Sequence, residues 1–507
     1  DGINLTEFAS NRNTAKETLY ASRGIIYDVD GKPLAKNTNS YKIIAILSPS
    51  RTTDMENPMH VVDKEQTATK ICTVVASTDE NKAKCQSDLV SYFSQNLYQV
   101  ELGIWGKISE DERQALLKEN LPGIIFETLA KRRQYINSSW ASYILGYARS
   151  NDDGEITGEM GIESYFNDEL KGTNGYIEYE KDAYGYKMPT SEAQGIDAQS
   201  GNDVYLTIDS NVQMSLETAI NKAQNESSAN WIVAVVADAK TGKILGSATS
   251  PSFNPNTKDI KNYLNPLVSY TYEPGSVMKT YSYMAALENN PTWDPYNTNC
   301  ETGPYEIGDD TVRDWNKTGW GLIPYSRGYT LSSNTCVANM IKNYLSKQKL
   351  MDYYKKLGFG QKTNIDLPNE YTGKVKFKYD VEVVNAGFGQ GITTTPIQQI
   401  KALTAISNNG VILNPYIVSK TVNSSTKEVT YKAAVKEGEK VASTETINKI
   451  KDLMYRVVNS DSSETTGSKY KMDGYDLIGK TGTAQIANPR TGKYYDGKYD
   501  YITSFSG

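Results

Sequence analysis

Pro274-Gly275-Ser276-Val277-Met278-Lys279 leads straight into Tyr281, Tyr283, Met284, Ala285 and Leu287. A proline-glycine turn ahead of a helix-forming, largely apolar stretch predicts a helix N-terminus at this point. It also fixes which side chains share a face: positions i and i+3 do, so the Ser276 hydroxyl and the Lys279 amine come within reach of each other. The chain contains one histidine, His60, far upstream. If Ser276 is a nucleophile, no histidine of its own domain can be its base. A lysine one turn away can be, provided it is neutral, a state favoured by burial and by a second nearby cation. The plainer reading of Ser276 is a helix N-cap.

Ser-x-x-Lys alone is weak, since ordinary usage gives roughly two or three chance matches in a chain this long. Ser346/Lys349, Ser424/Lys427 and Ser468/Lys471 also fit. Ser424 and Ser468 lie in polar Asn-Ser-Ser-Thr and Thr-Thr-Gly-Ser stretches and read as surface. Two further elements follow Ser276 in order: Ser332-Ser333-Asn334, and Lys480-Thr481-Gly482-Thr483-Ala484 after the stretch Tyr475-Asp476-Leu477-Ile478-Gly479. Lys-Thr-Gly recurs at Lys240, between two apolar runs that predict a hairpin, and at Lys317, in a predicted loop with Asp314, Trp315, Asn316 and Trp320. Only Lys480 comes last, with the small residues that an edge strand beside a substrate needs.

The ordered triple Ser276-x-x-Lys279, Ser332-x-Asn334 and Lys480-Thr481-Gly482 resembles the penicillin-binding proteins and serine β-lactamases. Ser22-Arg23-Gly24-Ile25-Ile26-Tyr27-Asp28 with Gly31-Lys32-Pro33-Leu34-Ala35 resembles the segment just outside the membrane anchor of class B penicillin-binding proteins, although Val29 stands where the family often has arginine. Gly161-Ile162-Glu163-Ser164-Tyr165-Phe166 with Leu170-Lys171-Gly172 resembles their pedestal, and Leu206-Thr207-Ile208-Asp209 with Gln213 the opening of their transpeptidase domain. Asn385-Ala386-Gly387-Phe388-Gly389-Gln390-Gly391 with Thr395-Pro396-Ile397-Gln398 resembles a further signature. As a nucleotide loop that glycine run lacks a leading strand and a following acid.

The resemblance implies a peptidoglycan D,D-transpeptidase. Ser276 would be acylated by the terminal D-Ala-D-Ala of a stem peptide, with Lys279 as base. Ser332 would pass a proton to the leaving amine, Lys480 would hold serine and lysine in register, and Asn334 would orient Lys279. Thr481, Gly482 and Thr483 would bind the donor, and the backbone amides of Ser276 and Thr483 would hold the oxyanion. An acceptor amine would complete the crosslink, and β-lactams would acylate the same serine. The resemblance implies no metal or other cofactor, a separate glycosyltransferase partner, and a position on the outer face of the bacterial cytoplasmic membrane. A D,D-carboxypeptidase shares the triad. So does a β-lactamase, though the class A pattern of a glutamate four residues before an asparagine is not evident between Asn334 and Lys480. A β-lactam sensor or cell-wall scaffold is the non-enzymatic alternative.

A chain of 507 residues suggests two to four domains. Net charge −6 and a pI near 5.3 argue against a nucleic-acid partner. No run approaches the ~20 apolar residues of a membrane span; the resemblance, which begins just after the family's anchor, implies an anchor ahead of Asp1, and more sheet and a helix beyond Gly507. Without that C-terminal part the chain is expected to be unstable or inactive. Residues 1–202 are expected to form an elongated pedestal region. It would begin with a strand-rich segment to about residue 45, include a helix over Ser109–Glu119, and end in a small, polar boundary at 194–202. Residues 203–507 are expected to form an α+β domain of the serine β-lactamase/transpeptidase type, an antiparallel sheet flanked by helices. Of the four cysteines, Cys72 and Cys85 are candidates for a bridge, while Cys336 reads as a small packed residue. Tyrosine outnumbers phenylalanine 37 to 9, which fits either glycan-contacting surface or lineage bias.

Overall fold

The computed structural model describes residues 14–54, 56–151, 154–180, 194–460, 465–488, 490–495, 497 and 500–507. The expectation of extended chain over residues 1–13 lies outside them. Downstream, strands dominate: β1 (Thr14–Leu19), β2 (Ile26–Tyr27) and the long β3 (Pro33–Ile46). Along the end of β3, where Ile44 and Ile46 are buried as well, Tyr41, Ile43 and Ala45 alternate onto one face and bury against two helices, α1 (Lys64–Val75) and α2 (Asp79–Phe93). The helices start at Asp63 and Thr78, whose side chains accept from the amides of Gln66 and Asn81. The expected Cys72–Cys85 bridge staples them together. The expected helix is α3 (Glu110–Lys118), entered through a Ser109/Glu112 capping box.

Next to β3 runs β4 (Ile124–Tyr135), paired antiparallel along most of its length. Arg133 of β4 and Arg23, just before β2, both grip Glu163 at 2.6 Å, and all three are buried. Burial alone would raise the Glu163 pKa, but Arg133 and Arg23 hold it below the usual carboxylate value. Tyr135 adds a hydrogen bond at 3.1 Å. This cluster ties β2, β4 and the helical turn at Gly161–Tyr165 into one block.

The stretch expected as a boundary is not all linker. Gln194–Ile196 is a strand, β6, which lies antiparallel on β5 (Gly175–Glu180), itself paired with β1. Immediately after it, β7 (Asp203–Leu206) runs parallel to β2 on one side. On the other side it lies antiparallel to the strand Val418–Val422. One sheet therefore spans the region where the domains were expected to part.

Lys240-Thr241-Gly242 turns between β8 (Ile232–Ala237) and β9 (Ile244–Ser250), the expected hairpin. Helix α4 (Met278–Asn289) is buried from Met278 through Leu287. Burial on every side makes it a core helix; it packs against α5 (Asn334–Tyr344), α6 (Asp380–Gly387) and α7 (Thr444–Asn459). The two-stranded ladder of β10 (Lys480–Gln485) and β11 (Tyr501–Ser506) closes the described chain. Helices around antiparallel strands make this an α+β fold, as expected.

One reading needs correction. Cys336 is not merely a packed thiol: it bonds to Cys300, because the strand Asn299–Glu301 lies beside the first turn of α5 with 5.2 Å between the two Cα atoms. The tyrosine excess, in turn, reaches deep into the interior. Tyr281, Tyr283, Tyr325, Tyr329 and Tyr354 are among the largest fully buried side chains. Several hydroxyls find partners there: Tyr329 with Thr280 at 2.8 Å, Tyr354 with Ser282 at 2.7 Å, and Tyr283 donating to the Tyr325 carbonyl at 3.0 Å.

Candidate active site

Ser276 sits in a single 3-10 turn, Gly275–Val277, that leads into α4. Neither this turn nor α4 has a side-chain cap, so Ser276 is not an N-cap. By contrast Ser346, of the competing pair Ser346/Lys349, caps its helix by accepting the Lys349 amide at 3.2 Å. Ser424 lies in the turn following Val418–Val422, and Ser468 in a short 3-10 turn.

Close backbone approach builds the site around this turn. Gly275 has φ +63°, and a Cβ there would lie 2.6 Å from the Thr483 carbonyl oxygen, so only glycine fits. Its amide donates to the Gly389 carbonyl at 3.0 Å, while a Cβ on Gly389 would come within 2.1 Å of the Gly275 oxygen. The glycine run at 387–391 thus seats the turn that carries Ser276.

One turn along, Lys279 is fully buried. Its Nζ donates to the Ser332 carbonyl at 2.5 Å, to Asn334 Oδ1 at 2.8 Å and to Ser332 Oγ at 3.3 Å. Lys480, also fully buried, donates to Ser332 Oγ at 3.0 Å and to its neighbour's carbonyl, Thr481 O, at 3.0 Å. Burial, reinforced by the Lys480 charge, pushes the Lys279 pKa far below the usual lysine value, with Asp314 opposing. Burial brings Lys480 down to about 7. Among the described residues no hydrogen bond reaches Ser276 Oγ. A deprotonated Lys279 keeps two N–H donors for its two shortest contacts and gains a lone pair, and contacts to a nucleophile commonly tighten only when substrate binds.

Asn334 opens α5, which Ser333 caps by accepting the Cys336 amide at 3.0 Å. Asn334 Nδ2 donates to the Arg313 carbonyl at 3.1 Å, which leaves Oδ1 for Lys279. Along β10 burial alternates: Lys480, Gly482 and Ala484 face inward, and Thr481, Thr483 and Gln485 outward. The Thr483 side chain is exposed, while Thr481 Oγ1 donates to Thr466 Oγ1 at 2.7 Å. Among the described residues β10 has one strand partner, β11, and its other edge lies beside the Gly275–Val277 turn. Thus Lys279, Ser332, Asn334 and Lys480 join in one hydrogen-bonded cluster, flanked by Ser276 and the Thr481-Gly482-Thr483 strand. Sequence reasoning placed Asp314 in a loop and missed that its carboxylate holds the Ser332-x-Asn334 segment. It also missed Thr466. Neither carries a spacing signal, because only the fold brings them here.

Two family models account for most of the chain. The "Penicillin binding protein transpeptidase domain" matches residues 232–507, and the "Penicillin-binding Protein dimerisation domain" matches residues 18–206. The chain belongs to the class B penicillin-binding proteins. It is 31% identical to Stage V sporulation protein D of Bacillus subtilis over 520 residues, covering 100% of this chain and 75% of that protein. It is 28% identical to peptidoglycan D,D-transpeptidase MrdA of Escherichia coli K12 over 548 residues, covering 96% of this chain and 80% of the relative. Penicillin-binding protein 2X of Streptococcus thermophilus superposes with a TM-score of 0.74 at 27% identity, over 97% of this chain and 74% of that one. Among the described residues no helix is long and apolar enough to cross a membrane.

Proposed function

We propose that this penicillin-binding protein is a peptidoglycan D,D-transpeptidase working through a Ser276 acyl-enzyme. The observation that carries the reading is a buried Lys279, held by Asn334 and Ser332 and driven toward its neutral form by burial and Lys480, one helical turn from Ser276. Neutral Lys279 takes the Ser276 proton as Oγ bonds to the carbonyl carbon between the two terminal D-alanines. The amides of Ser276 and Thr483 hold the oxyanion, each worth about 2.7–4 kcal/mol of barrier. The C–N bond then breaks. Ser332 delivers its proton to the leaving amine and takes in its place the one Lys279 had accepted, across their 3.3 Å contact, and free D-alanine departs. Protonated Lys480 keeps Ser332 in register. Thr481, with its hydroxyl engaged by Thr466, Gly482 and Thr483 receive the donor's terminal carboxylate along the β10 edge. An amine from a neighbouring stem peptide attacks the ester, frees Ser276 and forms the crosslink. A β-lactam enters as a donor mimic, and its opened ring stays on Ser276.

In this reading residues 1–202 act as pedestal and 203–507 as the transpeptidase domain. The protein works at the outer face of the cytoplasmic membrane, anchored there, beside a separate glycosyltransferase that polymerises the glycan. Incubation with a stem pentapeptide and an amine acceptor tests the reaction. Crosslinked dimer with D-alanine is the transpeptidase result. D-alanine without dimer identifies a carboxypeptidase, and neither product, with no penicillin adduct, a scaffold. Hydrolysed penicillin turning over freely identifies a β-lactamase.

A further inference from the structure

Ser332 carries the hydroxyl that both lysines reach, and it does so from a left-handed backbone conformation, φ 59°. A non-glycine residue stays there only where its surroundings hold it. Asp314, two residues beyond the strand Asp310–Val312, is buried, and its carboxylate accepts from four donors just past Ser332. These are Ser333 Oγ at 2.9 and 3.0 Å, the Asn334 amide at 2.6 Å, the Thr335 amide at 3.1 Å and Thr335 Oγ1 at 2.7 Å. On the near side of Ser332, Trp315 Nε1 donates to the Leu331 carbonyl at 3.0 Å. The Arg313 carbonyl fixes the Asn334 amide group. Three consecutive residues, Arg313, Asp314 and Trp315, therefore hold both flanks of Ser332.

A cap for α5 does not explain this, because Ser333 already supplies one. The four hydrogen-bond donors are neutral, and with the amino-terminal end of α5 they meet the carboxylate at short range. A carboxylate is costly to bury on such terms, and here it lies beside the two buried lysines of the site.

We propose that Asp314 is a positioning residue for acylation: its carboxylate locks Leu331–Thr335 so that the carbonyl and hydroxyl oxygens of Ser332 face Lys279 and Lys480. The proposal rests on the reading of Ser276 as the acylated serine. The same carboxylate favours protonated Lys279, against burial and Lys480. The other ionisable groups facing this centre are the phenols of Tyr283 and Tyr329, both raised by burial.

Two variants test it in the purified protein, through the pH profile of the second-order rate of acylation by a fluorescent penicillin. Asp314→Asn keeps the shape and removes the charge. Acylation at its optimum is expected to fall about 100-fold, and its acid limb to move to lower pH, since Lys279 loses a nearby anion. Thr335→Val removes one donor and keeps the charge; acylation is expected to slow by a smaller factor with the acid limb in place. Asp314→Asn acylating within about threefold of wild type, or losing rate only in proportion to its unfolded fraction with an unmoved acid limb, overturns the proposal. If Asp314→Asn fails to fold, Thr335→Val decides: a wild-type rate overturns it, and a slowed rate in a folded protein supports it. Wild-type protein that forms no adduct instead sinks the reading of Ser276.

Discussion

Lys480→Met should make this protein more stable and abolish its acylation. Lys480 is fully buried, and burial lowers its pKa to about 7. In the unfolded chain the same group stays protonated up to about 10.4. Between those values the unfolded state binds the extra proton, so the fold gains stability as pH rises across the interval. The penalty is full below pH ~7 and gone above ~10.4. A gap of about three units at 1.36 kcal/mol each makes it about 4 kcal/mol near neutrality. Methionine removes that penalty and leaves two acceptors without their lysine, Ser332 Oγ and Thr481 O, at about 1 kcal/mol apiece. The net expectation is about 2 kcal/mol of stabilisation at pH 7. Urea unfolding followed by far-UV circular dichroism, at pH 7 and again at pH 10, measures it. The variant's advantage should shrink or reverse at the higher pH. A variant less stable than wild type at pH 7, or an advantage equal at both pH values, refutes the reasoning.

Replacing Cys300 and Cys336 together by serine should lower stability by about 4 kcal/mol, the loop-closure value for a separation of 36 residues. Denaturant midpoints with and without reductant check this: reductant opens Cys72–Cys85 in both proteins, so wild type should lose more than the double variant by the share of Cys300–Cys336. Glu163→Gln should cost about 3–5 kcal/mol by leaving Arg23 and Arg133 buried without their shared carboxylate. The thermal midpoint reads that loss, and a change smaller than about 1 kcal/mol would mean that the cluster is solvated rather than buried.

Local chemistry was legible in the sequence wherever local rules determine it. Pro274-Gly275 and the apolar run after it announced α4, Ser109 and Glu112 announced the capping box, and the two apolar runs around Lys240 announced the hairpin. The order of the three motifs was legible too, and the fold gathers Lys279, Ser332, Asn334 and Lys480 from elements more than 200 residues apart. What sequence did not reveal depends on pairings between distant segments. The bridge from Cys300 to Cys336 needs the strand Asn299–Glu301 laid beside α5. The parallel pairing of β7 with β2 crosses the expected boundary, and no residue type marks it. Arg23 and Glu163 stood in recognisable segments, yet nothing in their spacing said that they would share a buried ion cluster with Arg133. Asp314 looked like one more loop acid; burial is what makes it matter.

Intact-mass and peptide mapping after exposure to a penicillin tests the central claim most directly. The account predicts one adduct per chain, on the peptide containing Ser276, with none on Ser276→Ala and a rate that collapses in Lys279→Met while both variants stay folded. An adduct on another residue, or undiminished acylation of Lys279→Met, would contradict it.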